Sequence, residues 1–270
     1  MLVTLDANWL MRKCYHRQEK DGKYQDAPKD FIERVAAVIG KLKPHDFVAC
    51  WDCQHELNFR KEIDPEYKSG RTARPEGLTW AITEARIYMD MHGICSLEMP
   101  PYEADDLIAS YTAQYNGQVV IYGTDKDFDQ LLEAGRVTKL REFDPDARID
   151  QSCWLPYQKW VESLGCHPDD APDPIEFQCL VGDSTDDIKG AHLVGPKKAL
   201  AYLQHYKTID NLLQDIDSIT IQGKPITEKQ KESLTEFKPR YPTVRKLIAL
   251  KTDIPVSMNI ACPQELPIRW

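Results

Sequence analysis

Three short apolar runs in the first half of the chain each end on an acidic residue. Leu2-Val3-Thr4-Leu5 runs into Asp6, Phe47-Val48-Ala49-Cys50-Trp51 into Asp52, and Val119-Val120-Ile121-Tyr122 into Gly123-Thr124-Asp125. Runs this short, apolar or β-branched, predict strands covered on both faces. Between them the apolar period changes. Phe31-Ile32, Val35, Val38-Ile39 and Leu42 recur at helical spacing after Pro28. A second helix is predicted from Pro75 to just before Gly93, and a third over roughly Ala104 to Tyr115. This alternation predicts an α/β fold with a parallel central sheet flanked by helices. In such sheets a site forms beyond the carboxyl ends of the strands, and Asp6, Asp52 and Asp125 all stand there.

After about residue 150 the pattern turns to helices and turns. Gly182, Gly190 and Gly195 punctuate a stretch that continues into Lys197-Lys198-Ala199-Leu200, which reads as helix, hairpin, helix. The predicted organisation is a core over 1–150 and a helical region over 151–270, with no internal repeat. The last ten or so residues, with Pro263 and Pro267, read as an irregular tail packed on the body.

Composition narrows the function. Apolar residues at 42% and charged residues at 29% of 270 support a folded core. The chain does not open on a basic stretch followed by a long apolar one, and no run reaches membrane-span length. The expected setting is a cytoplasm, with no membrane contact. Eight cysteines, mostly isolated among apolar neighbours, suit a reducing interior. Cys50 and Cys53 form a C-x-x-C with no second pair near it, and read as the end of a buried strand. The net charge of −9 is unevenly spread: residues 189–251 hold 12 Lys/Arg against 6 Asp/Glu. An acidic part beside a basic part suggests separate tasks.

Acids also cluster. Glu103-Ala104-Asp105-Asp106 opens a predicted helix, Thr124-Asp125-Lys126-Asp127 places a D-x-D just past a strand, and Gly182-Asp183-Ser184-Thr185-Asp186-Asp187 precedes the hairpin. Each has a plain explanation alone, as a helix cap or a solvated turn. Gathered at one sheet edge, they would repel one another unless cations intervened. Oxygen ligands with few histidines point to Mg²⁺ or Mn²⁺, two or more ions, rather than zinc. Paired ions of this kind are a usual device for phosphodiester cleavage. No G-x-x-x-x-G-K-[ST] is present, so no nucleotide cofactor is expected. No Ser-His-Asp arrangement is recognisable, and His16 and His92 read as structural or surface residues.

In this order the segments resemble the flap endonuclease / 5′-3′ exonuclease family. That family includes the 5′-nuclease domain of bacterial DNA polymerase I and stand-alone bacterial and phage enzymes. The matching stretches are Asp6 to Arg12, Trp51-Asp52, Phe59-Arg60, Tyr67-Lys68-Ser69-Gly70-Arg71, Tyr102 to Asp106, Thr124 to Phe128, and Gly182-Asp183 through Ala199. The resemblance implies a PIN-like 5′-nuclease core with a helical arch at about 60–100, and a helix-hairpin-helix (H3TH) element at about 180–205. It implies a first metal set of Asp6, Asp52, Glu103, Asp105 and Asp106, and a second of Asp125, Asp127, Asp183 and Asp186.

By the same resemblance Lys68 and Arg71 are catalytic cations that hold the phosphate, where composition alone allows a solvated loop. Arg60, Tyr67, Arg74, Gly195, Lys197 and Lys198 are expected DNA contacts, Tyr67 as a stacking platform. A potassium ion in the hairpin would be held by main-chain carbonyls of Leu180, Val181, Lys189, Ala191 and Val194. Leu193, Lys189 and Asp187 stand where the family usually has Gly, Pro and Asn.

The implied function is structure-specific hydrolysis of DNA at 5′ ends, flaps or nicks, in replication or repair, by a monomer. RNase-H-like removal of RNA primers from RNA–DNA hybrids would use the same site. The hairpin and the 67–71 segment count against a PIN-type ribonuclease. The intact acidic sets count against a non-catalytic DNA-binding scaffold, and the basic second half against a small-molecule phosphatase.

Overall fold

The computed structural model describes residues 1–221 and 223–263. It comprises two compact units: among the described residues, 1–58, 72–157 and 251–263 form one, and residues 59–71 and 158–250 the other. The sequence suggests one break near residue 150. Residues 59–71 nonetheless belong with the later helices, because Ile63 and Tyr67 pack into that unit's own apolar cluster.

The first unit contains β1 (Leu2–Asp6), α1 (Ala7–Glu19), α2 (Ala27–Leu42) and β2 (Asp46–Trp51). A single turn, α3 (Arg60–Ile63), belongs to the second unit. The first resumes with α4 (Glu76–Met91), β3 (Ser96–Glu98), α5 (Ala104–Gln114), β4 (Val119–Tyr122), β5 (Val137–Leu140) and β6 (Trp154–Pro156). The sheet order is β3-β2-β1-β4-β5-β6, parallel except for antiparallel β6. Leu2 stands opposite Asp46 and Val119, and Leu5 opposite Ala49 and Tyr122.

The three apolar runs are therefore the three central strands. The outer strands carry weaker patterns. At the edges, β3 has three residues, two of them polar, and β6 ends on a proline that only an edge tolerates; β5, next to β6, includes the buried Lys139.

Period-two alternation covers both faces of the sheet. Val3, Leu5, Phe47, Ala49, Trp51, Val120 and Tyr122 pack with residues of α1, α2 and α4. The alternate residues Leu2, Thr4, Val48, Cys50, Val119 and Ile121 are also buried, and α5 lies against β1 and β2. α4, where an arch was expected, is packed on α1 and α2 through Leu78, Ala81, Ile82, Ala85 and Met89. The returning chain is pinned along α5. The Ser110 hydroxyl donates to the Lys251 carbonyl (2.9 Å), Asp106 accepts the Lys251 N–H (3.0 Å), and Gln114 donates to the Ile254 carbonyl (2.7 Å). Of the expected tail, Pro263 is the last described residue, and Pro267 lies outside the described residues.

The second unit is built from α6 (Tyr157–Leu164), α7 (Pro174–Val181), the short pair β7 (Gly182–Asp183) and β8 (Ile188–Lys189), and α8 (Pro196–Tyr206). α9 (Ile209–Gln214), the pair β9 (Thr220–Ile221) and β10 (Lys224–Pro225), α10 (Glu228–Phe237) and α11 (Tyr241–Ile248) complete it. Leu180, Ala199, Leu203, Leu212, Leu234, Phe237 and Leu247 form its core. The buried Glu176 carboxylate ties three elements together, accepting from the Ile209 N–H, the Tyr241 hydroxyl and Arg245. No helix among the described residues is long and apolar enough to cross a membrane.

Candidate metal centre and nucleic-acid contacts

In the first unit the strand order reverses direction between β1 and β4, and the crevice at such a point is where open α/β sheets bind ligands. Asp6 ends β1 there and caps α1, its Oδ1 accepting the Trp9 N–H at 3.0 Å. Gly123 follows β4 so closely that an added Cβ would stand 3.1 Å from the Cβ of Asp6. Burial, then the charges of Asp52 and Asp125, push the Asp6 carboxyl up to about 8, against the Trp9 N–H and Arg12. Strand ends alone predicted this gathering of Asp6, Asp52 and Asp125.

The structure adds the side chains that hold these acids. Asp52 accepts the Ala104 N–H at 3.1 Å on one oxygen and the Asn8 side-chain amide on the other. Asn8 is buried and was given no role by the sequence; its signal was a polar residue on the inward side of the first helical turn. Asp125 caps the turn after β4 through the Asp127 N–H (3.0 Å). Behind it the buried Lys139 ammonium donates to the Asp125 carbonyl at 3.1 Å and pairs with Asp129. Nothing in the sequence separates Lys139 from a surface lysine except its neighbours Val137 and Leu140.

The acids at the start of α5 are not equivalent. Asp106 is fully buried, and its two oxygens accept the N–H groups of Glu103 (3.3 Å) and Lys251 (3.0 Å). With these bonds it caps α5 and anchors the returning chain. Glu103 is the N-cap, and Asp105 sits half-buried in the first turn. The C-x-x-C thiols are held protonated. Burial raises Cys50 well above its ordinary range and, with Glu103 and Asp52, takes Cys53 to about 12.

In the second unit the 67–71 segment meets Asp186. Lys68 Nζ lies 3.3 Å from one Asp186 oxygen, the Tyr67 hydroxyl donates to the same oxygen at 3.2 Å, and Arg71 donates to the other at 2.8 Å. Asp183 and Asp186 offer carboxylate oxygens within 4.8 Å of each other. Lys68 is 5% exposed and left-handed (φ 55°), a conformation that costs a non-glycine residue about 1–2 kcal/mol. Its N–H donates to the Asp186 carbonyl (3.2 Å), and Asp187 accepts the Gly70 N–H (3.0 Å).

Two expected DNA contacts are placed differently. The Tyr67 ring, 3% exposed, belongs to the apolar cluster and so is not an open stacking platform. Arg60, 2% exposed, donates to the Leu247 carbonyl (2.8 Å) and lies over the Phe59 ring. An aromatic and an arginine flanked by polar residues read as surface, but here Tyr67 lies in the apolar cluster and α11 packs on α3, which carries Arg60. Arg74, Gly195, Lys197 and Lys198 are exposed.

The hairpin crosses itself where Gly182 and Gly190 meet. A Cβ on Gly182, at φ 80°, would fall 2.4 Å from the Gly190 nitrogen, so neither position admits a side chain. A groove of about 550 Å³ is lined by Val181, Arg240 and the chain from Lys189 to Gly195. Of the carbonyls expected to hold potassium, Leu180 accepts the Ala191 N–H (2.9 Å), Ala191 accepts the Val194 N–H (3.1 Å), and Lys189 accepts Arg240 (2.7 Å). Arg240 thus brings a fixed cation to the loop, which makes the fit to potassium poor. Leu193 takes the left-handed conformation (φ 62°) that glycine would adopt freely, with its side chain exposed.

A resolvase-like sheet with carboxylates at its switch point, in one chain with a helix-hairpin-helix unit, defines a hydrolase of the nuclease class. Residues 1–154 match the 5′-3′ exonuclease, N-terminal resolvase-like domain, and residues 170–266 the 5′-3′ exonuclease, C-terminal SAM fold. The chain belongs to the 5′-3′ exonuclease family. It is 28% identical over 266 residues to flap endonuclease Xni of Shewanella pealeana, covering 96% of this chain and 94% of that protein. It is 30% identical over 264 residues to flap endonuclease Xni of Photobacterium profundum, covering 96% and 95%. A crystal structure of the bacteriophage T5 flap endonuclease, a pseudo-enzyme-product complex with DNA and metal ions, shares the fold. Its TM-score is 0.70 at 17% identity, over 93% of this chain and 89% of that one.

Proposed function

We propose that the protein is a Mg²⁺- or Mn²⁺-dependent, structure-specific 5′-nuclease that hydrolyses DNA at 5′ ends, flaps or nicks. The observation that carries this reading is the crowding of Asp6, Asp52 and Asp125 at the switch point, where burial and mutual repulsion lift the Asp6 carboxyl to about 8. Hard oxygen donors in a place that disfavours their own charge fit a divalent cation. Asp6, Asp52, Asp105 and Asp125 would hold it, with Glu103 and Asp127 beside them, and Asp183 would offer its carboxylate to a second ion. The bound ion supplies Lewis-acid activation of water and charge neutralisation at the phosphate.

The chain's own groups do the rest. Asn8 and the Ala104 N–H fix Asp52, and Lys139 fixes the main chain of Asp125. Lys68 and Arg71, aligned by Asp186, would grip the phosphate that carboxylates repel and meet the charge that grows in the transition state. Exposed Lys197, Lys198 and the N-terminal amides of α8 would hold duplex phosphates without reading bases.

The test is incubation of a 5′-labelled flap, a nicked duplex and an RNA–DNA hybrid with the protein, with Mg²⁺ or chelator. Metal-dependent release of 5′ fragments from the flap or nick is expected, and no cutting of any of the three would sink the reading. Asp125→Ala and Asp183→Ala should each abolish cutting and spare duplex binding. Lys68→Ala should lower the rate far more than the affinity.

A further inference from the structure

We propose that the exposed face of α1 is a track for single-stranded DNA, leading outward from the carboxylate edge. This rests on the nuclease reading above and adds a route for one part of the substrate. Trp9, Arg12, Lys13, His16, Arg17 and Lys20 recur at spacings of three and four, so they share one helix face. Ala7, Leu10, Met11 and Cys14 fix the opposite face in the core. With Glu142, the six residues line a groove of about 480 Å³. The helix starts at Asp6, its N-cap, so the groove begins beside the acids. From Asp6 to Lys20 it runs about 20 Å at 1.5 Å per residue, the length of a few extended nucleotides.

The charge of this face opposes that of the chain. Glu142 accepts from Lys13 (3.3 Å), Arg17 and Arg34 (2.8 Å), and Asp30 from Arg17 (2.6 Å) and Arg34 (2.8 Å). Arg12 and Lys20 add to these, so five cations meet the three carboxylates of Asp30, Glu142 and Glu19, the last beside His16. Lys20 makes no ion pair among the described residues. An excess of cations beside a carboxylate edge is what phosphates need to approach it.

The groove also carries an aromatic. Trp9 is half-buried at its inner end, edge-on to Tyr122 at 5.6 Å, with the Lys13 ammonium 4.8 Å above its ring. A duplex hides its base faces in the stack, so an aromatic in a cationic groove suits unpaired bases. The loop at 67–71 and the hairpin lie on other elements, which leaves this face unused by the proposed mechanism.

The test measures binding by fluorescence anisotropy in chelator, where nothing is cut. Nicked duplexes carry either no unpaired 5′ nucleotides or a tail of about twelve. The tail should tighten binding to the parent protein. The double variant Arg17→Gln, Lys20→Gln should bind the untailed nick as the parent does and lose the tail's gain, about fivefold. Arg17 braces Asp30 and Glu142, so Lys20→Gln alone provides a second arm, with about a twofold loss on the tailed substrate only. No tail gain in the parent, or an equal gain in parent and variants, would overturn the track. Failure of the parent to cut the flap, the nick and the RNA–DNA hybrid with Mg²⁺ would instead overturn the nuclease reading.

Discussion

The two units treat charge in opposite ways. In the first, Asp6, Asp52 and Asp125 crowd until one carboxyl is lifted to about 8. In the second, Lys68 and Arg71 already share the carboxylate of Asp186. The first arrangement is poised for a cation that folding does not supply, and the second is set before any ligand arrives. The cations should therefore be aligned in the metal-free protein, and the acids should be the part that metal stabilises.

The strongest way to break this contrast is Asp186→Asn. It removes the negative charge that Lys68, 5% exposed, and Arg71 both face in Asp186. Losing one member of a buried pair should cost about 3 kcal/mol. Urea unfolding should show that loss with or without Mg²⁺. A stability change confined to the metal-bound protein would mean that Asp186 serves the metal rather than the cations.

The acids predict a pH effect of definite sign. A carboxyl lifted to about 8 takes up a proton on folding, so its contribution is present in acid and lost as pH rises from about 4 to about 8. The metal-free protein should melt at lower temperature at pH 8 than at pH 5. Added Mg²⁺ should raise the melting temperature more at pH 8, where Asp6 must otherwise ionise beside Asp52. Asp6→Asn should shrink both differences. A metal effect equal at the two pH values would show that repulsion at Asp6 is not what the ion relieves.

The reach of the sequence follows the same division. Central strands carry uninterrupted apolar runs that end on acid, so β1, β2, β4 and their carboxylates were legible together. The edge strands were not, being short and mixed in polarity. What a polar side chain does within a cluster was also hidden. Asp106 and Asp105 are adjacent acids, yet one faces the returning chain at Lys251 and the other does not lie in that cap. Arg60 looked like a contact because its partner on α11, Leu247, lies 187 residues further on. Long-range packing leaves no trace in a local pattern.

Lys139 sharpens the contrast more gently, since it is a cation placed among the acids. Its ammonium holds the Asp125 carbonyl and Asp129 in place without competing for the Asp125 carboxylate. Lys139→Met keeps the apolar stem and removes that hold. Groups that orient a ligand typically alter metal affinity 10–100-fold. The Mg²⁺ concentration for half-maximal cutting should therefore rise about tenfold, with the rate at saturating metal little changed. If the saturating rate falls instead, Lys139 acts on chemistry and not on the metal.

The smallest expected effect comes from a second left-handed residue. Lys68 and Leu193 both hold φ near 60°, but Lys68 has Asp186 to compensate, whereas Leu193 has an exposed side chain, 46% accessible. Leu193→Gly removes strain of about 1–2 kcal/mol and adds unfolded-chain freedom of about 0.5–1 kcal/mol. A net gain of about 0.5 kcal/mol in urea unfolding should remain. Duplex binding should respond equally to KCl and NaCl in parent and variant, because Arg240 already occupies the Lys189 carbonyl. A preference for potassium that appears only with glycine would show that Leu193, and not Arg240, keeps the loop closed to the ion.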